Sequence, residues 1–253
     1  MEPVIILLLC IMSFLAGFID SVAGGGGLIL IPSLLIAGLP PQTALGTNKF
    51  AAICGTSTAL VNFIRNKKVI WKIALAGLAF SLVGSVLGAR AILYFDQSTT
   101  AKVITVMLPI AVIVTLLPKR QLKTTGAEFT KKDIFLYTPL ICFCVGFYDG
   151  FFGPATGTFL IFGFYVFLGL HLLNASALSK VFNVASNFGS FVTFVFAGKI
   201  LYAVGIPIAL CNVAGGYLGS TLAIKKGQGF INAILLIVFA GLFVTLIFRI
   251  WKG

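Results

Sequence analysis

The sequence predicts an all-α polytopic membrane protein of two inverted repeats. Each repeat holds four long transmembrane helices and one short half-helix after a glycine-rich break. Three observations lead to this reading. Of 253 residues, 59% are hydrophobic and 9% charged, with a mean hydropathy of +1.11, against about 25% charged in an average globular chain. Apolar runs long enough to cross about 30 Å of hydrocarbon recur along the chain. The two halves also repeat one another's glycines, charges and register.

The apolar windows, in order, are Pro3–Ile19, Phe50–Ile64, Ile73–Ala89, Val103–Pro118, Ile134–Tyr148, Val181–Gly198, Ile200–Ile224 and Gly227–Phe248. The first has the outline of a cleaved signal, with Ser21-Val22-Ala23 as a small-residue cleavage site. Against cleavage, Glu2 precedes it without any Lys or Arg, and the same segment returns in mid-chain. It is expected to remain as a helix.

The recurrence is specific. Gly17-Phe18-Ile19-Asp20 returns as Gly146-Phe147-Tyr148-Asp149, and Gly24-Gly25-Gly26-Gly27 is answered by Gly153-Pro154-Ala155-Thr156-Gly157. Asn48-Lys49 aligns with Ser179-Lys180, Lys68–Trp71 with Lys199–Tyr202, and Gly84-x3-Gly88 with Gly215-x3-Gly219. Two unrelated Leu-rich helices would not preserve glycines, charges and spacing together. A first repeat is therefore expected over 1–118, a polar cytoplasmic linker over 119–132, and a second repeat over 133–253. After each glycine break comes a short apolar piece, Leu28–Ala37 or Thr158–Leu168, about 15 Å long at 1.5 Å per residue, which is half a membrane. The Gly84/Gly88 and Gly215/Gly219 pairs read as close helix packing.

Net charge is +12, from 18 Lys plus Arg against 6 Asp plus Glu. Such an excess would suggest nucleic acid in a soluble protein. Here the cations collect in short connections, at Arg65–Lys72, Lys119–Lys132 and Lys225-Lys226, as cytoplasmic loops do; no nucleic-acid partner is expected. Placing these loops inside puts both termini outside and makes the halves inverted. A parallel duplication would instead place Arg249 and Lys252 inside, and charge alone does not separate the two. All five cysteines lie in apolar stretches and read as small hydrophobes. Cys142 and Cys144 have neither zinc spacing nor a nearby His, so no metal is expected. The single histidine, His171, has no repeat partner and reads as an exposed loop residue.

Four ionisable residues fall within membrane depth: Asp20, Lys49, Asp149 and Lys180. A charge there costs at least about 2.5–3.5 kcal/mol, which marks a functional site by default. Structural Asp–Lys ion pairs, or snorkelling to an interface, are the alternatives. A helix beginning in mid-membrane offers unpaired N–H groups and a positive dipole end to an anion. Gly24, Gly25, Gly26 and Gly27 allow close backbone approach, as do Gly153 and Gly157, while Thr156 and Thr158 add hydroxyls. Thr47 and Asn48 beside Lys49, and Ser179 and Asn183 beside Lys180, complete the candidate substrate site. Asn62 and Asn187, in the same two helices, are open to an interhelical hydrogen-bonding reading. Asp20 and Asp149 either carry a proton or orient the glycine turns. No catalytic triad, metal-ligand cluster or phosphate loop is visible.

At the motifs Gly17-Phe-Ile-Asp-Ser-Val-Ala-Gly-Gly-Gly-Gly27, Ala44-Leu-Gly-Thr-Asn-Lys49, Gly146-Phe-Tyr-Asp-Gly150 and Ala177-Leu-Ser-Lys180, the chain resembles the sulfite exporter TauE/SafE family, also called the toluene sulfonate uptake permeases. The likeness covers essentially the whole length. It implies a cofactor-free secondary transporter, not an enzyme, in a bacterial plasma membrane. The substrate class it implies is a small sulfur-containing anion such as sulfite, thiosulfate or a sulfonate. The leading reading is a secondary transporter, an exporter, of such an anion, with protons as a candidate coupling ion through Asp20 and Asp149. The second glycine motif, Gly-Pro-Ala-Thr-Gly, departs from the first, so the half-sites need not be equivalent. A passive anion channel and a membrane protein handling thiols through Cys142 and Cys144 are the competing readings.

Overall fold

A computed structural model describes residues 2–116 and 130–252. Helix α1 (Pro3–Ala23) starts with proline at a position where its missing N–H is harmless and stops at Gly24, whose φ of +82° suits glycine. The short α2 (Gly27–Ile36) turns back along α1, and its Leu30 and Leu34 share a buried cluster with Leu9 and Ala16. Helices α3 (Pro41–Arg65), α4 (Trp71–Leu93) and α5 (Gln97–Leu116) follow. After the linker, most of which lies outside the described residues, a π-helical turn (Asp133–Tyr137) leads into α6 (Thr138–Phe151). Helix α7 (Thr156–Leu168) folds back along α6, seen in the ring pairs Tyr148–Phe159 and Tyr137–Phe167. Helices α8 (Leu172–Phe196) and α9 (Tyr202–Lys252) complete the chain, α9 being broken at Gly227 by φ 68° and ψ −153°.

Both halves thus run through the same order: long, short, then three long stretches. Helices α3 and α8 each have 25 residues. The short pieces begin within two residues of the expected positions. Among the described residues, four helical stretches are long and apolar enough to cross a membrane by length and composition: Pro3–Ala23, Trp71–Leu93, Asp133–Phe151 and Tyr202–Gly227. Helices α3 and α8 have the length, about 37 Å, but carry the polar residues of the candidate site.

The halves interlock. Helix α1 packs against the first stretch of α9, with Ser13 Oγ donating to Ile208 O at 2.7 Å and Asn212 Nδ2 donating to Ser13 O at 3.0 Å. Further along the same pair, Gly215 and Gly219 lie on the backbone of Phe14 and Phe18, so the two helices run parallel. Helices α4 and α6 repeat that arrangement: Gly77 faces Thr138 and Cys142, while Gly84 and Gly88 lie on the backbone from Phe143 to Phe151. The small-residue pairs are packing contacts with no room for a Cβ. Helices α3 and α8 run antiparallel, since Gly46 faces Phe194, Phe50 stacks on Phe191, and Phe63 clusters with Ala177.

Candidate functional site

The site forms where the two re-entrant turns meet the crossing of α3 and α8. Gly24 lies directly on Gly157, and a Cβ added at Gly27 would meet Pro154 Cα at 3.2 Å. Glycine is needed at this approach because each break abuts the other's backbone. Thr158 stitches the two together: its N–H donates to Gly24 O at 3.2 Å and its Oγ1 to Ala23 O at 2.8 Å. Ser176 Oγ donates to Val22 O at 3.2 Å. The C-terminal carbonyls of α1, which lack partners within the helix, are therefore satisfied by the other half.

Asp20, Lys49, Asp149 and Lys180 come together as two ion pairs, and each pair crosses between halves. Lys49 Nζ of α3 lies 2.7 Å from Asp149 Oδ1 of α6, with both side chains at most 3% exposed. Lys180 Nζ of α8 donates to the main-chain oxygen of Asp20 and lies 3.5 Å from Asp20 Oδ2. Lys180 is thus anchored on the negative end of the α1 dipole. The pairs also differ in their secondary contacts. Asp20 Oδ2 accepts from Thr56 Oγ1 at 3.2 Å. Asp149 Oδ1 accepts from Thr156 Oγ1 at 2.7 Å, while its Oδ2 is buried with no hydrogen-bond partner among the described residues.

A cavity of about 20 Å³ lies between the pairs, with Lys49, Asn48, Asp149, Asp20, Asn183 and Asn187 among its walls and Gly24, Gly27, Gly153 and Thr156 at the breaks. That is room for about one water molecule. Not every expected residue reaches it. Thr47 Oγ1 accepts the N–H of Leu201 at 3.0 Å, and Ser179 Oγ donates to Ser176 O at 2.7 Å. Gly157 and Thr158 serve the contact between breaks, and neither Gly25, Gly26 nor Lys180 lies in the cavity wall. His171 is exposed at the start of α8.

Sequence reasoning left out Thr56 and did not place Asn187 in the site. The signal was available: Lys49, Ala52 and Thr56 share one helical face at three- and seven-residue spacing, as do Lys180, Asn183 and Asn187 in the other half. Asn187 Nδ2 donates to Asn183 Oδ1 at 3.1 Å, so the expected hydrogen bond joins two side chains of α8 rather than two helices.

With this geometry in view, the relatives are informative. The chain is 39% identical over 241 residues to the probable membrane transporter protein YfcA of Escherichia coli K12, covering 94% of this chain and 88% of that one. It is 37% identical over 253 residues to the probable membrane transporter protein ORF9 of a Sinorhizobium species, covering 97% and 95%. A sulfite exporter TauE/SafE family protein of Arabidopsis thaliana is 31% identical over 93 residues, 35% of this chain and 21% of that one. No solved structure matches. The family model described as sulfite exporter TauE/SafE matches residues 9–246, and the chain belongs to that family of membrane transporters.

Proposed function

We propose that the protein is a secondary transporter, an exporter, of a small anion of the sulfite, thiosulfate or organosulfonate class, working by alternating access at the central cavity. The observation that carries this reading is the cavity itself. It sits where the two halves meet, its walls hold one lysine, two aspartates and three asparagines, and the starts of both short helices abut it. Backbone N–H groups at such starts, together with amide side chains, are chemistry for an oxyanion. The family description supports the substrate class and export.

Inverted repeats fit the packing. Helices α1, α3 and the first stretch of α9 run one way, and α4, α6 and α8 the other, so corresponding helices of the two halves oppose each other. A chain that crosses in this order brings Arg65–Lys72, 119–132 and Lys225-Lys226 to one face, the cytoplasmic one by its charge, with both termini outside. The cavity size favours a carrier over a channel. A space for about one water passes no oxyanion until the halves move.

The net charge of Asp20, Lys49, Asp149 and Lys180 is zero, so anion binding calls for one pair to be opened, and the aspartates are the groups able to do so by taking a proton. Purified protein in liposomes tests the whole reading. Uphill uptake of labelled thiosulfate driven by an imposed proton gradient is the expected result; flux only down the anion's own gradient indicates a channel.

A further inference from the structure

We infer that Asp149 takes up a proton when an anion binds and thereby releases Lys49 to hold that anion, whereas Asp20 stays ionised. The inference rests on reading the central cavity as an anion site.

The two aspartates are equivalent in sequence but not in surroundings. Both oxygens of an ionised carboxylate only accept hydrogen bonds. Asp149 Oδ1 lies 2.7 Å from Lys49 Nζ and 2.7 Å from Thr156 Oγ1, whose single hydroxyl proton is shared with Gly153 O, also at 2.7 Å. Oδ2 is buried and has no donor among the described residues, and Asp149 is one of the residues lining the cavity. Buried polar atoms without partners are uncommon. A proton on Oδ2 turns that idle acceptor into a donor on a residue that lines the cavity. Asp20 differs in exposure: its Oδ2 accepts from Thr56 and lies beside Lys180, and its Oδ1, which has no hydrogen bond among the described residues, is not buried, the side chain being 18% exposed.

The lysines differ in the same sense. Lys180 holds the main-chain oxygen of Asp20 as well as its carboxylate, so neutralising that carboxylate leaves it anchored. Lys49 has Asp149 as its only ion-pair partner among the described residues, and it lines the cavity, which Lys180 does not. Protonating Asp149 changes the sum of the four charges from zero to one positive, with the free ammonium already in the cavity wall.

The other groups around Asp149 leave this balance intact. Helix α1 brings Asp20 across the cavity, and α8 brings Lys180, held on Asp20. On α6 itself, the neighbouring Tyr148 donates its hydroxyl to Pro154 O at 2.7 Å. Helix α7 contributes Thr156, its Tyr165 being packed with Leu160 and Phe164 away from the cavity. Helix α4 carries Lys72 and Arg90, both exposed.

The proton enters from the side that supplies the anion, forms the O–H bond on Oδ2, and leaves with the anion on the other side; Lys49 remains an ammonium throughout. One anion then moves with one proton, in whichever direction the combined gradient runs: electroneutrally for a monoanion such as methanesulfonate, and with one net negative charge for the dianion thiosulfate.

Calorimetry of detergent-purified protein with thiosulfate and methanesulfonate, which stay fully ionised near neutral pH, tests this. Titration in buffers of different ionisation enthalpy counts protons bound per anion. Wild type is expected to take up about one proton per anion, with affinity falling as pH rises by up to about tenfold per unit. Asp149→Asn is expected to bind with no proton uptake and no pH dependence, and Asp20→Asn to retain both. Binding by wild type without proton uptake overturns the inference, as does loss of uptake in Asp20→Asn, a result that stands even if Asp149→Asn does not fold. Failure of wild type to bind any such anion at any pH refutes the anion-site reading and this inference with it.

Discussion

Lys49 and Asp149 form a 2.7 Å ion pair although one belongs to the first half of the chain and the other to the second. Lys180 and Asp20 make the reciprocal connection. The charges that would otherwise be costliest in the membrane join the halves at the cavity, and moving the halves apart must break or exchange these pairs.

Removing one member leaves its partner buried and uncompensated. Lys49→Met is expected to lower stability by about 3–5 kcal/mol. Lys49→Met combined with Asp149→Asn should recover most of that loss. Thermal unfolding of the two variants in the same detergent measures the difference, and equal melting temperatures would argue against a net contribution from the pair.

The contact between the breaks demands glycine for two separable reasons. Gly24 has φ +82° and lies against Gly157, whereas Gly38 has φ +89° with nothing within 4 Å of where a Cβ would stand. Gly38→Ala is expected to cost about 1–2 kcal/mol, the penalty of a left-handed backbone alone. Gly24→Ala should cost about 1–3 kcal/mol more from the collision and impair transport. Paired unfolding and flux measurements on the two variants check this.

Asn183 lines the cavity and accepts from Asn187. Asn183→Ala removes one amide from the wall without touching either ion pair. Anion affinity is expected to fall up to about tenfold, the contribution of one hydrogen bond, with proton uptake per anion unchanged; calorimetry reads both.

Orientation is tested by fusing reporters after Gly253 and within 119–132. Alkaline phosphatase is expected to be active at the C-terminus, and a fluorescent protein to be bright in the linker. A bright fluorescent reporter at Gly253 would contradict external termini.

Much of this was legible in the sequence because the determinants are local. Proline at the start of α1, the glycine runs and the apolar lengths fix where helices begin and stop, and the duplicated spacing marked Asp20, Lys49, Asp149 and Lys180 as a set. What was not legible was the pairing. Four charges in two copies permit pairs within or between halves, and only the interlocking of α1 with α9 and of α4 with α6 decides it. Lys180 illustrates the limit: it occupies the position of Lys49 in the repeat, yet it lies on the buried carbonyl end of α1, outside the cavity wall. The orphaned oxygen of Asp149 was likewise beyond reach, since it depends on which donors arrive from α3 and α7.

The most direct test of anion transport at this cavity is thiosulfate exchange across proteoliposomes, comparing Asp149→Asn with the same variant carrying Lys49→Met. Both variants leave no unpaired buried carboxylate at position 149. Exchange that persists in Asp149→Asn and disappears on adding Lys49→Met is the predicted result. Exchange at the same rate in both would show that Lys49 does not hold the anion and that the cavity is not the transport site.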